Sequence, residues 1–144
     1  MSIRVAKEFR FEAAHRLPWH EGLCSNVHGH SYHVVVELTG ARDQRGMVVD
    51  FKHLKQMVAP LIDRWDHAVL AAESDQELID SVRALGSRLE ILPYDTTAEN
   101  MADYIAQAIV REHHSFLSDR SISRVRVSVR ETATSEATVE LDIA

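Results

Sequence analysis

Apolar and polar residues alternate in two segments near the start of the chain. Over 3–15 the odd-numbered positions are mostly apolar and the even-numbered ones mostly charged, with Lys7 as the exception. Over 28–38 the even-numbered positions form the corresponding apolar set. This period predicts two strands, each buried on one face. The segment 17–27 breaks the pattern and predicts a connecting loop that carries Cys24.

The middle of the chain changes to helical spacing. Apolar residues recur every three or four positions over 51–65, directly after Asp50, a residue type that begins helices well. Pro60 lacks an N–H donor and is expected to kink or shorten this helix. A turn at 43–46 followed by a short strand at 47–49 is expected to precede it.

The second half predicts one unusual segment and a second long helix. The segment 71–92 is a charged excursion with a short helix at 76–85 and an extended end at 89–92. Thr96 and Glu99 have the spacing of a capping box, which predicts the start of the second long helix.

Two further alternating segments, 125–129 and 137–143, predict a closing pair of strands. The whole chain, 1–144, is therefore expected to be a single α+β domain. Its predicted architecture is an antiparallel four-stranded sheet with two main helices on one face.

Composition narrows the classes of function. The 144 residues include 16 Lys and Arg against 22 Asp and Glu, a net charge of -6, so we expect no nucleic-acid or membrane partner. No targeting or membrane-spanning segment is evident. Cys24, the single cysteine, is a free thiol, an intermolecular bridge or a metal ligand. A reducing, cytoplasmic location fits it best.

Three histidines form the strongest candidate site. His28 and His30 share the apolar face of one predicted strand, and His15 continues the apolar series of the other. Three imidazoles suit Zn²⁺ and leave a fourth position for water or substrate, as in catalytic zinc sites. The alternative is that all three are ordinary polar residues at strand ends.

Cys24 lies four residues before His28, close enough to reach the same centre. It is either the fourth ligand of a closed structural site or a free thiolate that acts as a base. A third possibility is an inert, buried small side chain.

Two acidic positions add to this site. Asp66 precedes His67, and a carboxylate beside an imidazole can orient it for proton transfer, although such a pair at a helix end is also common surface decoration. Glu131 is in phase with the apolar residues of 125–129, so its carboxylate needs a partner. That partner is an internal donor or a ligand with two adjacent N–H groups.

Together these residues resemble the family of 6-pyruvoyl and 6-carboxytetrahydropterin synthases over nearly the whole chain. The matching segments are FEAAH at 11–15, CSNVHGH at 24–30, VDF at 49–51, DH at 66–67, TAEN at 97–100 and RET at 130–132. The three-residue gap between Cys24 and His28 resembles the 6-carboxy branch, which acts in queuosine or deazapurine synthesis. The excursion at 71–92 is longer than in compact members.

The resemblance implies a tunnelling fold, in which subunits join into a barrel with active sites between them, here as a homo-oligomer such as a hexamer or tetramer. It implies a zinc-dependent lyase that converts 7,8-dihydroneopterin triphosphate to 6-carboxy-5,6,7,8-tetrahydropterin, releasing acetaldehyde and triphosphate. The implied roles are zinc ligation by His15, His28 and His30, proton abstraction by Cys24, a relay of Asp66 and His67, pterin anchoring by Glu131, and closure of the pocket by Thr97 of a neighbouring subunit.

Other functions are also compatible with these residues. A pyruvoyl-type lyase or an aldolase-like enzyme of the same fold would use the same substrate class, and a zinc module closed by Cys24 would have no activity. Candidates for binding the triphosphate are Arg10, Arg16, Lys52 and Arg130, each of which is better explained as a solvated surface charge.

Overall fold

A computed structural model describes residues 1–143 as one α+β unit. The elements, in chain order, are β1 Ile3–His15, β2 His28–Gly40, α1 Phe51–Trp65, β3 Ala68–Ala72, α2 Gln76–Leu85, β4 Leu89–Leu92, α3 Ala98–Asp119, β5 Ile122–Thr132 and β6 Ser135–Asp142. The four strands predicted from alternation are all present, and so is the short helix of the excursion.

The sheet has six strands in the order β4-β3-β1-β2-β5-β6, so the prediction of an antiparallel four-stranded sheet is wrong. The four long strands pair antiparallel, but β3 pairs parallel to β1 and β4 pairs parallel to β3. Alternation did not reveal β3, because four of its five residues are buried and both faces are covered. A helix precedes each of these short strands, as parallel crossovers require.

The two faces of the sheet are covered differently. The main core lies under α1 and α3, where Trp65, Tyr32 and Phe11 are its largest fully buried side chains; two main helices on one face were predicted correctly. A separate small cluster joins α2 to Ala71 on the opposite face of β3. Elsewhere that second face is open and carries charged residues. No helix within residues 1–143 is long and apolar enough to cross a membrane.

The approach to α1 differs from the prediction. Residues 47–49 do not form a strand, since the carbonyl of Val48 accepts from the Arg120 guanidinium instead of from a neighbouring strand. Asp50 begins α1 as predicted, accepting from the backbone N–H of Lys52 at 2.9 Å. The helix then continues through Pro60 to Trp65, so of the two predicted effects, a kink or a shortening, the shortening does not occur. Pro60 lies on the exposed side, where water can satisfy the carbonyl that it leaves free.

Helix α3 begins one residue later than the predicted capping box allows. Thr97, not Thr96, is the N-cap, and its hydroxyl accepts from the backbone N–H of Asn100 at 3.1 Å. Thr96 is 1% exposed, and both its carbonyl and its hydroxyl contact the ring of His15. A contact 81 residues away in sequence therefore takes the group that the capping box would use.

Candidate active site

Three imidazoles converge at the end of the β1–β2 pair. His15 is the Cα partner of His28, and Ala13 is the partner of His30, so the register places all three rings on the face that carries the core. Each ring offers one nitrogen, and these three atoms lie within 4.8 Å of one another. The predicted convergence of His15, His28 and His30 is present.

Hydrogen bonds fix the tautomers of two rings. The Nδ1 of His15 lies 2.8 Å from the carbonyl oxygen of Thr96, and the Nδ1 of His28 lies 2.7 Å from that of Asn26. A carbonyl only accepts, so both Nδ1 atoms donate and both Nε2 atoms carry lone pairs. Those two Nε2 atoms face each other at 3.2 Å, so their lone pairs converge as those of two ligands of one metal ion do.

The donor set fits a metal ion. A tetrahedral ion at about 2.0–2.1 Å from each nitrogen separates its ligands by roughly 3.3 Å, close to the 3.2 Å between His15 and His28. The Nε2 of His30 is buried and has no hydrogen-bond partner among residues 1–143, as expected of a ligand atom. Second-shell carbonyls that accept from Nδ1 are typical of metal-bound histidines.

Burial keeps the rings of His15 and His30 neutral at neutral pH. Burial lowers the pKa of His15 to about 4, more than its hydrogen bond to Thr96 raises it, and the charges of His28 and His30 lower it further. Burial also lowers the pKa of His30. Because a metal binds the unprotonated imidazole, protons do not compete with the ion for either ring at neutral pH.

Glu131 lies next to the cluster, with Oε1 3.8 Å from Nε2 of His15. Burial raises the pKa of its carboxyl, and the nearby charge of Glu99 adds to this effect, while that of His28 opposes it. It faces a cavity of about 390 Å³ that Ala98, Glu99 and Ser135 also line. The acidic residue predicted on the apolar side of this strand is therefore partly buried and lies beside a cavity.

Cys24 is a free, partly buried thiol in the 17–27 loop, which closes through a 2.9 Å hydrogen bond from Leu17 N–H to the carbonyl of Cys24. It is not part of the ligand cluster found among residues 1–143. Its charge and that of Glu131 add to burial in raising the pKa of Tyr32. The Tyr32 hydroxyl is buried and has no hydrogen-bond partner among the described residues.

The Asp66–His67 pair is formed but lies elsewhere. Asp66 Oδ1 is 3.0 Å from Nδ1 of His67 and accepts from the backbone N–H of Glu12 at 2.9 Å. The hydrogen bond from that N–H is the main cause that lowers the pKa of the Asp66 carboxyl. The His67 side chain is 73% exposed and lines a cavity of about 440 Å³ with Glu12, Ser31 and Arg88. Glu12 and Ser31 have the phase of the open face of the sheet and the three imidazoles have that of the core face, although His30 also lines this cavity.

Thr97 caps α3 in the same chain as the cluster, adjacent to Ala98 and Glu99 of the Glu131 cavity. Sequence reasoning missed Thr96 and Tyr32 as parts of the site. The even-residue phase of β2 placed Tyr32 with the histidines, which was a usable signal. Nothing in the local pattern indicated that Thr96 would reach His15.

Most of the basic residues considered for phosphate binding are already paired. The pairs are Arg10 with Glu8, Arg16 with Asp75, and Arg130 with Glu136. Lys52 lies on the exposed side of α1.

The fold and this site together define a histidine-rich α+β protein with a metal-sized centre at the end of two long strands. Residues 4–142 match the family described as 6-pyruvoyl tetrahydropterin synthase. The chain therefore belongs to the 6-pyruvoyl tetrahydropterin synthase family and is an enzyme of that family.

Curated relatives are named for one branch. The chain is 35% identical over 128 residues to the 6-carboxy-5,6,7,8-tetrahydropterin synthase of Haemophilus influenzae, covering 83% of this chain and 89% of that protein. It is 32% identical to that of Aquifex aeolicus, covering 95% and 97%. Among solved structures, 6-pyruvoyl tetrahydropterin synthase of Plasmodium falciparum has a TM-score of 0.80 at 23% identity, covering 99% of each chain.

Proposed function

We propose that this protein is a zinc-dependent lyase that converts 7,8-dihydroneopterin triphosphate to 6-carboxy-5,6,7,8-tetrahydropterin, with release of acetaldehyde and triphosphate. The observation that carries the proposal is the convergence of three imidazoles, with the only thiol outside their cluster. That arrangement favours an open catalytic site over one closed by Cys24. Names of the curated relatives support the 6-carboxy product and, with it, a role in queuosine or deazapurine synthesis.

His15, His28 and His30 would hold the zinc ion through the nitrogens that face one another. When bound, the ion supplies Lewis acidity, which polarises substrate oxygens and makes neighbouring C–H groups more acidic. Thr96 and Asn26 keep two rings oriented through their Nδ1 atoms. This preorganisation leaves little reorganisation to occur at the moment of reaction.

Cys24 is the proposed proton acceptor, and Asp66 with His67 the proposed relay that returns a proton. In one chain, the relay lies on the open face and the imidazoles on the core face. We therefore place the relay in a second copy, in agreement with active sites between the subunits of a homo-oligomer such as a hexamer or tetramer. Trp19, 58% exposed, and Leu23, 86% exposed, lie in the loop of Cys24 and supply apolar surface for such a contact.

Glu131 is the proposed anchor of the pterin ring. Its carboxylate faces a cavity and can accept from two adjacent N–H groups, a bidentate contact that fixes the ring in its plane. Such fixing matters because small misplacements slow every later proton transfer. Thr97 of a neighbouring subunit is the proposed closing residue, and in its own chain Thr97 lies at the start of α3, next to Ala98 and Glu99 of this cavity. Separately, we propose a cytoplasmic location, because the cytoplasm keeps a free thiol such as Cys24 reduced.

Turnover with 7,8-dihydroneopterin triphosphate tests the proposal. We expect acetaldehyde and triphosphate to be released, activity to be lost with a chelator, and activity to return with Zn²⁺. A pyruvoyl product without acetaldehyde would instead support the second candidate, a 6-pyruvoyl-type lyase, which the likeness to the Plasmodium falciparum fold also allows.

Cys24→Ala separates catalysis from a closed metal site. We expect this variant to retain one zinc ion per chain and to lose turnover, because the thiol lies outside the ligand cluster. Metal content by atomic absorption and acetaldehyde release are the two measurements. Loss of zinc from Cys24→Ala would contradict the proposal and support a module in which Cys24 is the fourth ligand.

A further inference from the structure

Arg16, the residue directly after the metal-ligating His15, forms an ion pair with Asp75 in the excursion at 71–92. Arg16 donates from Nε to Asp75 Oδ2 at 2.8 Å and from Nη2 to Asp75 Oδ1 at 2.6 Å. The Asp75 side chain is 5% exposed and that of Arg16 20%. A partly buried bidentate pair of this kind fixes both position and orientation, unlike an exposed contact between single charges.

Asp75 is also held in place by the helix that it begins. Asp75 is the N-cap of α2 and accepts from the backbone N–H of Leu78 at 3.3 Å, while α2 packs on β3 through its apolar residues. The hydrogen bond from Arg16 is the main cause that lowers the pKa of the Asp75 carboxyl, so the pair is ionised at neutral pH. Asp75 is therefore a rigid anchor.

The next residue in the chain closes the loop of the thiol. Leu17 N–H donates to the carbonyl of Cys24 at 2.9 Å. Three consecutive residues therefore connect the site to its surroundings. His15 offers a metal-ligating nitrogen, Arg16 donates to Asp75 in the excursion, and Leu17 donates to the carbonyl of Cys24. Displacement of Arg16 would shift the base of the thiol loop relative to the three imidazoles.

We propose that Asp75, acting through Arg16, is a positioning residue that sets the place of Cys24 relative to the metal centre. In this proposal, the excursion at 71–92 contributes to the reaction by keeping Cys24 in position. This inference rests on the proposed function, in which Cys24 accepts a proton. It also removes Arg16 from the candidates for binding the triphosphate, because its guanidinium is already held by Asp75 and lies 3.6 Å from Glu77.

Asp75→Asn is the discriminating variant. Asparagine is as good an N-cap as aspartate, so α2 is retained, while the charged bidentate contact to Arg16 is lost. We expect unchanged zinc content and a fall in kcat of about tenfold with little change in KM, since a misplacement of about 1 Å is enough to slow a reaction to this extent. Alkylation of Cys24 by iodoacetamide should be severalfold faster, because the thiol loop is no longer held in place. Arg16→Lys keeps one charged contact and should lie between wild type and Asp75→Asn in both measurements.

Asp142→Asn is the matched control. It breaks the ion pair of Arg124 with Asp142, of the same 2.8 Å length, on the exposed surface, and should change neither kcat nor the alkylation rate. Wild-type alkylation and turnover in Asp75→Asn would overturn the inference. So would equal effects in Asp142→Asn. If the wild-type protein releases no acetaldehyde, the proposed function fails, but Cys24 alkylation still tests whether Asp75 positions the thiol.

Discussion

The buried imidazole of His15 predicts how the stability of the metal-free protein depends on pH. Burial lowers its pKa from 6.5 to about 4, and the residue is only 1% exposed. In the unfolded chain the ring takes up a proton below about 6.5, whereas in the folded protein it stays neutral down to about 4. The unfolded state therefore binds more protons in this window, and the free energy of unfolding falls as the pH is lowered through it.

The size of this effect follows from the same two values. At about 1.4 kcal/mol per pH unit, the difference between 6.5 and about 4 corresponds to a loss of about 3 kcal/mol. This is a large fraction of the stability of a typical domain, about 5–15 kcal/mol. His30, whose pKa burial also lowers, changes stability in the same direction.

His15→Asn tests this reasoning. Asparagine keeps a donor where Nδ1 contacts the Thr96 carbonyl, but it does not titrate. Urea unfolding of chelator-treated protein from pH 7 to pH 4 should show a steeper loss of stability in wild type than in the variant. A lower stability of the variant at every pH reflects lost packing and does not bear on the test, because the readout is the slope.

Parallel curves for the two proteins would refute the assignment of a depressed pKa to His15. Carboxylates that lose stabilising contacts in acid, such as Asp75 and Asp66, contribute equally to both curves and cancel in the comparison. Added Zn²⁺ should raise the free energy of unfolding of wild type at pH 7 and have a much smaller effect on His15→Asn, since a ligand that binds only the folded state stabilises it.

Two further substitutions examine the surroundings of the metal centre. Glu131→Gln should bind zinc normally but bind a pterin about 10- to 100-fold more weakly by calorimetry, because a charged acceptor is lost; loss of zinc would show that Glu131, 3.8 Å from the His15 ring, is a ligand. Thr96→Val should lower zinc affinity about tenfold in a chelator competition, because the hydroxyl contact to Nδ1 is lost and the carbonyl contact is kept. Thr138→Val, which removes a hydroxyl contact to Ser128 on the open face of the sheet, should not change zinc affinity, and an equal loss there would contradict the second-shell role of Thr96.

Local sequence determined the long strands, the helices and the inward direction of the three histidines. Alternation in β1 and β2 follows from burial of one face, and the even spacing of His28 and His30 needs only the geometry of a strand. The partial burial of Glu131 followed in the same way from the phase of β5. These features depend on neighbours along the chain, and the chain therefore specifies them directly.

Only the tertiary structure decided how distant segments meet. The strand β3 carries no alternating pattern, because α1 and α2 cover its opposite faces, and its parallel pairing with β1 joins residues more than 50 positions apart. The contact that moved the start of α3 from Thr96 to Thr97 joins positions 15 and 96. The same holds for Arg16 with Asp75 and for the placement of His67 outside the cluster of three imidazoles. Such contacts arise from the packing of whole elements, which no local period along the sequence encodes.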